Sequence, residues 1–227
     1  TERTKGNPFF TLELLHSLVD SQVIYLKEDH YTYDLEKLKT ASLPVTIVEA
    51  VLKRMKDLSE DALKILSYAS VMGKEIQFNI LSELTSQPQD QILNSIENGI
   101  QNQVLYRDLT GRENIFFMHD RIREAFYQRV PKEERVPLHR RIAEVLEKDS
   151  RDNVEPVLYE LAFHFAQGDV EDKALNYSIP AAHKAKSSYA HNLAITLYNE
   201  AKKIFEKRGD TNNPAYLEVL ENLGEVY

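Results

Sequence analysis

Apolar positions recur every three or four residues along most of this chain, so the pattern predicts a mainly helical protein. After the turn Lys5-Gly6-Asn7-Pro8, the residues Phe9, Leu12, Leu15, Leu18 and Val19 fall at helical spacing and predict a first helix. Glycine there suits an unusual backbone angle, and proline suits the first position of a helix. Val23 to Leu26 and Tyr31 to Tyr33 read as two short extended pieces around the polar tip Lys27-Glu28-Asp29-His30, a candidate hairpin. A connector then runs to Leu43-Pro44, where the proline disfavours helix just before it.

A compact block follows. Ile47, Val48, Val51, Leu52 and Met55 share one helical face. Ser59 is a good N-cap, with Glu60 and Asp61 in the first turn, where the helix dipole favours acids. That helix turns Leu63, Leu66 and Ala69 inward and stops near Gly73. A short helix carries Phe78, Leu81 and Leu84; Ser86 and Gln89 have capping-box spacing ahead of one burying Ile92, Leu93 and Ile96. The period then drops to two: Val104 to Arg107 and Ile115 to Met118 flank a turn at Thr110-Gly111-Arg112. Three helices followed by a hairpin is the order of a winged helix-turn-helix. One further helix starts near His119 with Ile122, Ala125, Phe126 and Val130, and another follows Pro131 with Leu138, Ile142, Val145 and Leu146 inward.

Polar residues 149–153 mark a boundary. Beyond it, Ala162, Phe165, the turn Gly168-Asp169, Ala174 and Ala181 give the small and aromatic spacing that closely packed helix pairs need. Ala182, Ala194, Tyr198 and Ala201 form a second set, and Leu223-Gly224 with Tyr227 begins a third. The sets resemble tetratricopeptide (TPR) repeats. The interval from Ala182 to Gly224 exceeds the usual ~34 residues, so an α-solenoid is the firmer statement. The expected organisation is a helical subdomain over 1–40, a winged helix with a small β-hairpin wing over 41–148, and TPR-like repeats over 149–227.

Composition narrows the function. The 36 acidic against 28 basic side chains give a net charge of −8, which argues against nucleic acid or an anionic membrane as a general partner. The expected recognition helix, Gln89 to Gln103, contains Asp90 and Glu97 but no Lys or Arg, and Arg107 and Arg112 in the wing add little positive charge. No cysteine is present, which removes disulfides, thiol nucleophiles and thiolate metal sites and fits a reducing compartment such as the cytoplasm. No apolar run approaches the ~18 residues of a membrane span. The seven histidines make no pair at three- or four-residue spacing on one helix. There is no glycine-rich phosphate loop and no serine elbow, so no enzyme is expected within these 227 residues. The abrupt ends, with no initiator Met, read as a piece of something longer.

Three groups remain as candidate chemistry. Gly6 and Pro8 are, locally, a turn feeding a helix. His119 and Asp120 stand where a strand hands over to a helix: structurally a junction, functionally an anion site, since a helix N-terminus beside an imidazole suits a phosphate. The basic cluster Arg135, His139, Arg140 and Arg141 reads as a solvated helix face, with partner docking by the three arginines as the functional alternative.

The order of these motifs resembles the STAND class, the signal-transduction ATPases with numerous domains that include plant disease-resistance proteins, apoptosome ATPases and many bacterial regulators. Gly6-Asn7-Pro8-Phe9-Phe10 is similar to the family's Gly-x-Pro turn. Leu43-Pro44, Arg54 and Leu58 resemble the entry to its winged helix, and Phe117 to Tyr127, followed by Leu138-His139 and Ile142-Ala143, carries the most specific likeness, around Met118-His119-Asp120. The resemblance implies that Pro8 packs on the adenine and His119 reaches the β-phosphate of bound ADP. It also implies that ATP or ADP, with Mg, is held by an ATPase core preceding this segment in cis, whose Walker segments are missing here. The segment itself then has no cofactor and hydrolyses nothing; its repeats read a protein or small-molecule signal. The alternative is a free-standing interaction module, with the winged helix as a packing unit and the repeats binding peptides. A DNA-binding factor is the weakest reading.

Overall fold

The computed structural model describes residues 4, 6–41, 43, 44, 46–108 and 114–226, apart from the side chains of Phe9, Ile47 and Val48. The expected wing turn at Thr110-Gly111-Arg112, as well as Lys5 and Tyr227, lies outside them. The described residues form twelve α-helices and five short strands, so the protein is mainly α with small antiparallel sheets. No helix among them is long and apolar enough to cross a membrane. The chain divides into two compact units, Thr1–Ile76 with Gln89–Arg129, and Gln77–Pro88 with Val130–Tyr227.

The first unit opens with α1 (Pro8–Asp20). The hairpin β1 (Ile24–Lys27) and β2 (His30–Tyr33) pairs Lys27 with His30 across a two-residue turn. Glu28 and Asp29 both have positive φ there, 46° and 64°, which matches the twist of the strands. A short α2 (Leu35–Thr40) is capped by Asp34 and buries nothing. Then come α3 (Ile47–Lys56), capped by Thr46, and α4 (Glu60–Met72), capped as expected by Ser59 and ended by Gly73 at φ 133°. After β3 (Glu75–Ile76), the unit resumes with α6 (Gln89–Gln101), β4 (Leu105–Arg107), β5 (Ile115–Phe117) and α7 (Asp120–Arg129). The three strands form one antiparallel sheet in the order β3–β5–β4.

The core of this unit lies where α4 meets α6 and α7, with Leu66, Ile92, Ile96, Leu105, Phe117, Ile122 and Phe126 fully buried. Gly99 lets α6 approach closely: a Cβ there would stand 2.9 Å from Leu105 Cδ1 and 3.0 Å from Leu66 Cδ1. Two expected faces differ. Leu52 and Leu93, expected inward, are about half exposed, while Ala50, Val51 and Met55 face the core of the unit from α3. The first helix differs more: Leu12, Leu15 and Val19 are exposed, and the buried stripe is Phe10, Glu13 and Ser17.

The second unit contains α5 (Phe78–Thr85), α8 (Lys132–Asp149), a 3₁₀ turn at Glu155–Val157, then α9 (Leu158–Gln167), α10 (Glu171–Ser187), α11 (His191–Arg208) and α12 (Pro214–Val226). Ser86, expected to start a helix, instead ends α5 with a left-handed backbone, φ 50°. From α9 onward each helix packs on the next across short turns. Each turn pivots on one left-handed residue: Asp169, Tyr189 and Gly209. In each, the next N–H reaches back five residues, Val170 to Phe165, Ala190 to Ala185 and Asp210 to Phe205, at 2.8–3.1 Å. Buried alanines 162, 181, 182, 185, 194 and 201 let the helices approach closely around Tyr198 and Phe205.

The crossing of α8 and α9 is held by backbone contact and by an imidazole pair. A Cβ on Gly168 would lie 2.8 Å from the backbone N of Arg140, so only glycine fits at the end of α9. His139 and His164 are buried and share a hydrogen bond between their Nδ1 atoms, 2.8 Å apart, with the Phe163 ring edge-on to both. One Nδ1 must donate and the other accept, so the accepting ring must be neutral at that nitrogen and the two rings cannot both be protonated. Burial first, and the nearby Arg135 charge second, lower the His139 pKa from 6.5 to about 4.

The unfolded chain therefore binds a proton at His139 that the folded chain refuses between pH 6.5 and about 4. Stability from this group is complete above that window and is lost as pH falls through it, by about 3 kcal/mol at full extent. Urea unfolding at pH 7.5, 5.5 and 4.5 should show this loss, and His139→Gln should flatten that part of the profile. An unchanged slope in the variant would contradict the assignment.

Candidate functional site

The Gly-x-Pro segment is built as a helix start. Gly6 is exposed with φ 78°, a left-handed conformation that glycine adopts without strain. Asn7 caps α1 by accepting from the Phe10 N–H at 3.0 Å. Pro8 is the first helical residue, where its missing N–H costs nothing, and it is exposed.

His119 sits between β5 and α7 and is half-buried. Its carbonyl accepts from the Ile122 and Arg123 N–H groups at 2.9 and 3.1 Å, and its Nδ1 accepts from the Arg121 N–H at 3.1 Å. The imidazole thus caps α7, a role that needs no ligand. The same bond fixes the tautomer: Nδ1 is the acceptor, so the ring proton of the neutral form is on Nε2. A donor Nε2 beside the positive end of α7 is what an anionic oxygen requires. Asp120 is exposed in the first turn of α7, where its charge favours the helix and competes for the same positive end.

The buried stripe of α1 is tied to α3 and to the turn before β4 by one arginine. The Arg54 guanidinium on α3 donates to Glu13 Oε1 at 2.8 Å and to His16 Nδ1 at 2.9 Å, and also to the Gln103 carbonyl. The side chains of Arg54 and Glu13 are only 12% and 6% exposed. Gln103 presents that carbonyl from a left-handed turn, φ 55°, between α6 and β4. Burial holds the Glu13 carboxyl above its usual range, outweighing the opposing charges of Arg54, His16 and His119. Glu13 and His16 were invisible as site residues in the sequence. Their only signal is a polar stripe, Glu13, His16 and Ser17, within a mainly apolar helix.

The three arginines of the basic cluster belong to the second unit, and each has an internal partner. Arg135 Nε donates to the Val130 carbonyl at 3.0 Å. Arg140 caps the end of α9, giving Nε and Nη2 to the Gly168 carbonyl at 3.2 and 3.1 Å. Arg141 pairs with Glu83 and, at 3.6 Å, with Glu144. These contacts account for the cluster as packing within the unit. Arg107 in β4 is likewise paired with Glu97 on α6.

An apolar groove of about 600 Å³ lies between α3 and α7, lined by Val51, Leu52 and Ala125 with Thr46, Arg121, Glu124 and Gln128 around it. Arg121 and Glu124 pair at 2.8 Å, so the charge on this rim is balanced. Among the described residues no group of three or more His, Asp or Glu side chains is arranged to hold a metal ion.

No family model matches the chain, and no solved structure matches it. Among curated proteins it is similar to the hybrid signal transduction histidine kinase G of Dictyostelium discoideum, 26% identical over 109 residues. That stretch is 47% of this chain and 3% of the kinase, so the likeness covers a small part of a very long protein.

Replacing Arg54 by Met strands a buried carboxylate and should destabilise the protein by about 3 kcal/mol. Glu13→Gln keeps an acceptor for Arg54 and removes the cost of burying a charge, so its effect should stay under about 1 kcal/mol. Denaturant unfolding of both variants checks the ranking; a larger loss in Glu13→Gln would refute it.

Proposed function

We propose that this chain is the regulatory and sensor segment of a multidomain signalling ATPase of the STAND class. In this reading residues 1–40 end the helical subdomain of an ATPase core that precedes them. Residues 41–148 form a winged helix, and 149–227 form TPR-like repeats that read a protein or small-molecule signal. ATP or ADP, with Mg, is bound by the core together with Gly6, Pro8, His119 and Asp120, and the protein works in the cytoplasm. The segment contributes no catalytic group of its own.

The observation that carries the reading is that one buried guanidinium links the helices and strands on which the two motifs stand. Pro8 starts α1, and Arg54 ties that helix through Glu13 to the Gln103 carbonyl just before β4, the partner strand of β5, which leads to His119, although the two motifs stand at opposite ends of the unit's sequence. An Nε2 donor at a helix N-terminus suits a phosphate oxygen. The winged-helix reading draws on the order α4, β3, α5, α6, β4, β5 with its β3–β5–β4 sheet. The exposed stripe Leu12, Leu15 and Val19 offers α1 an apolar face for a neighbouring domain in cis. The partial likeness to a signal transduction histidine kinase fits a signalling role. Signal and nucleotide would be coupled through their different affinities for closed and open states.

One observation favours the free-standing interaction module instead. The N-cap role of His119 accounts for the imidazole without any nucleotide. Nucleotide content separates the two readings. The full-length protein, purified and denatured, should release near-equimolar ADP. His119→Ala should exchange it about tenfold to a hundredfold faster, the range expected for a lost hydrogen bond to a charged group. His119→Asp retains an N-cap acceptor but repels phosphate, and should exchange at least as fast. Wild-type retention in both variants would make His119 structural, and absence of bound or bindable nucleotide in the wild type would leave the interaction module.

A further inference from the structure

Glu13 and Ser17 of α1 are buried beside Phe10 while Leu12, Leu15 and Val19 are exposed, a partial inversion that needs a cause. Its centre, Glu13, is almost fully buried and pairs with the Arg54 guanidinium at 2.8 Å. Arg54 Nη2 serves two acceptors on α1, Glu13 and His16, while Nη1 serves the Gln103 carbonyl at the entrance to β4. One planar fork thus joins α1 to the turn that leads into the sheet, and β5 of that sheet leads directly to His119. Lysine has no second arm with which to copy this geometry.

We propose that Arg54 is a positioning residue: it latches the Pro8 helix to the His119 side of the unit, and release of that latch frees α1 and opens the nucleotide site. This rests on the reading of Pro8 and His119 as nucleotide contacts and adds the device that keeps them together. Arg54 touches no nucleotide in this scheme. It acts through its contacts with Glu13 and His16 on α1 and with the Gln103 carbonyl before β4.

The test measures hydrogen exchange along the full-length protein and release of a fluorescent ADP analogue, for wild type, Arg54→Met, Arg54→Lys and Glu13→Gln. In Arg54→Met the amides of α1 should exchange at least about tenfold faster while those of α4 and α6 stay protected. Nucleotide release should accelerate in parallel. Arg54→Lys should fall between wild type and Met, and Glu13→Gln should be milder than Met, which covers the case in which Met prevents folding. Combining Arg54→Met with His119→Ala should accelerate release less than the product of the single effects, since both break one path. Unchanged protection of α1 in Arg54→Met, or loss spread evenly over α4 and α6, overturns the latch. A protein that binds no nucleotide, yet loses α1 protection selectively, keeps the latch and removes only the nucleotide reading.

Discussion

The Arg54 guanidinium is nearly out of water, and a group that cannot lose its charge needs acceptors there. Meeting that need fixes the rotation of α1. The helix turns Glu13 and His16 toward α3 and leaves Leu12, Leu15 and Val19 outside. Burial costs Glu13 more than Arg54 returns, as its raised pKa indicates, so the pair specifies geometry more than it adds stability. The latch proposed for the first unit rests on this one cluster.

The second unit depends on a different device. Its helices approach closely because alanines line their contacts, and they reverse direction because one residue in each turn takes a left-handed backbone. The α8–α9 crossing adds the Gly168 backbone contact, the Arg140 cap and the buried His139–His164 bond. The arginines thus serve the fold first, by closing carbonyls at helix ends and pairing with Glu83 and Glu144.

Much of this was legible locally. Helix starts at Pro8 and Ser59, the stop at Gly73, the hairpin around Glu28-Asp29 and the turn at Gly168-Asp169 all follow from short-range chemistry. What failed had a long-range cause. Which stripe α1 buries is decided by Arg54, far along the chain, and periodicity cannot see that pairing. Ser86 has the spacing of a cap, but its left-handed backbone closes the preceding helix. The turns at Gln22, Gln103 and Tyr189 carry no glycine, so no residue type announced them. The pairing of His139 with His164 joins residues on two helices and has no local signature.

The central claim, that Glu13 and Arg54 act as one unit in holding α1, is tested most directly by a double-mutant cycle. Unfolding free energies are needed for Glu13→Leu, Arg54→Met and the double variant. The buried geometry predicts a coupling of about 1.5–3 kcal/mol, because each single change strands the other charge. A coupling within about 0.3 kcal/mol of zero, the value for independent sites, would contradict it.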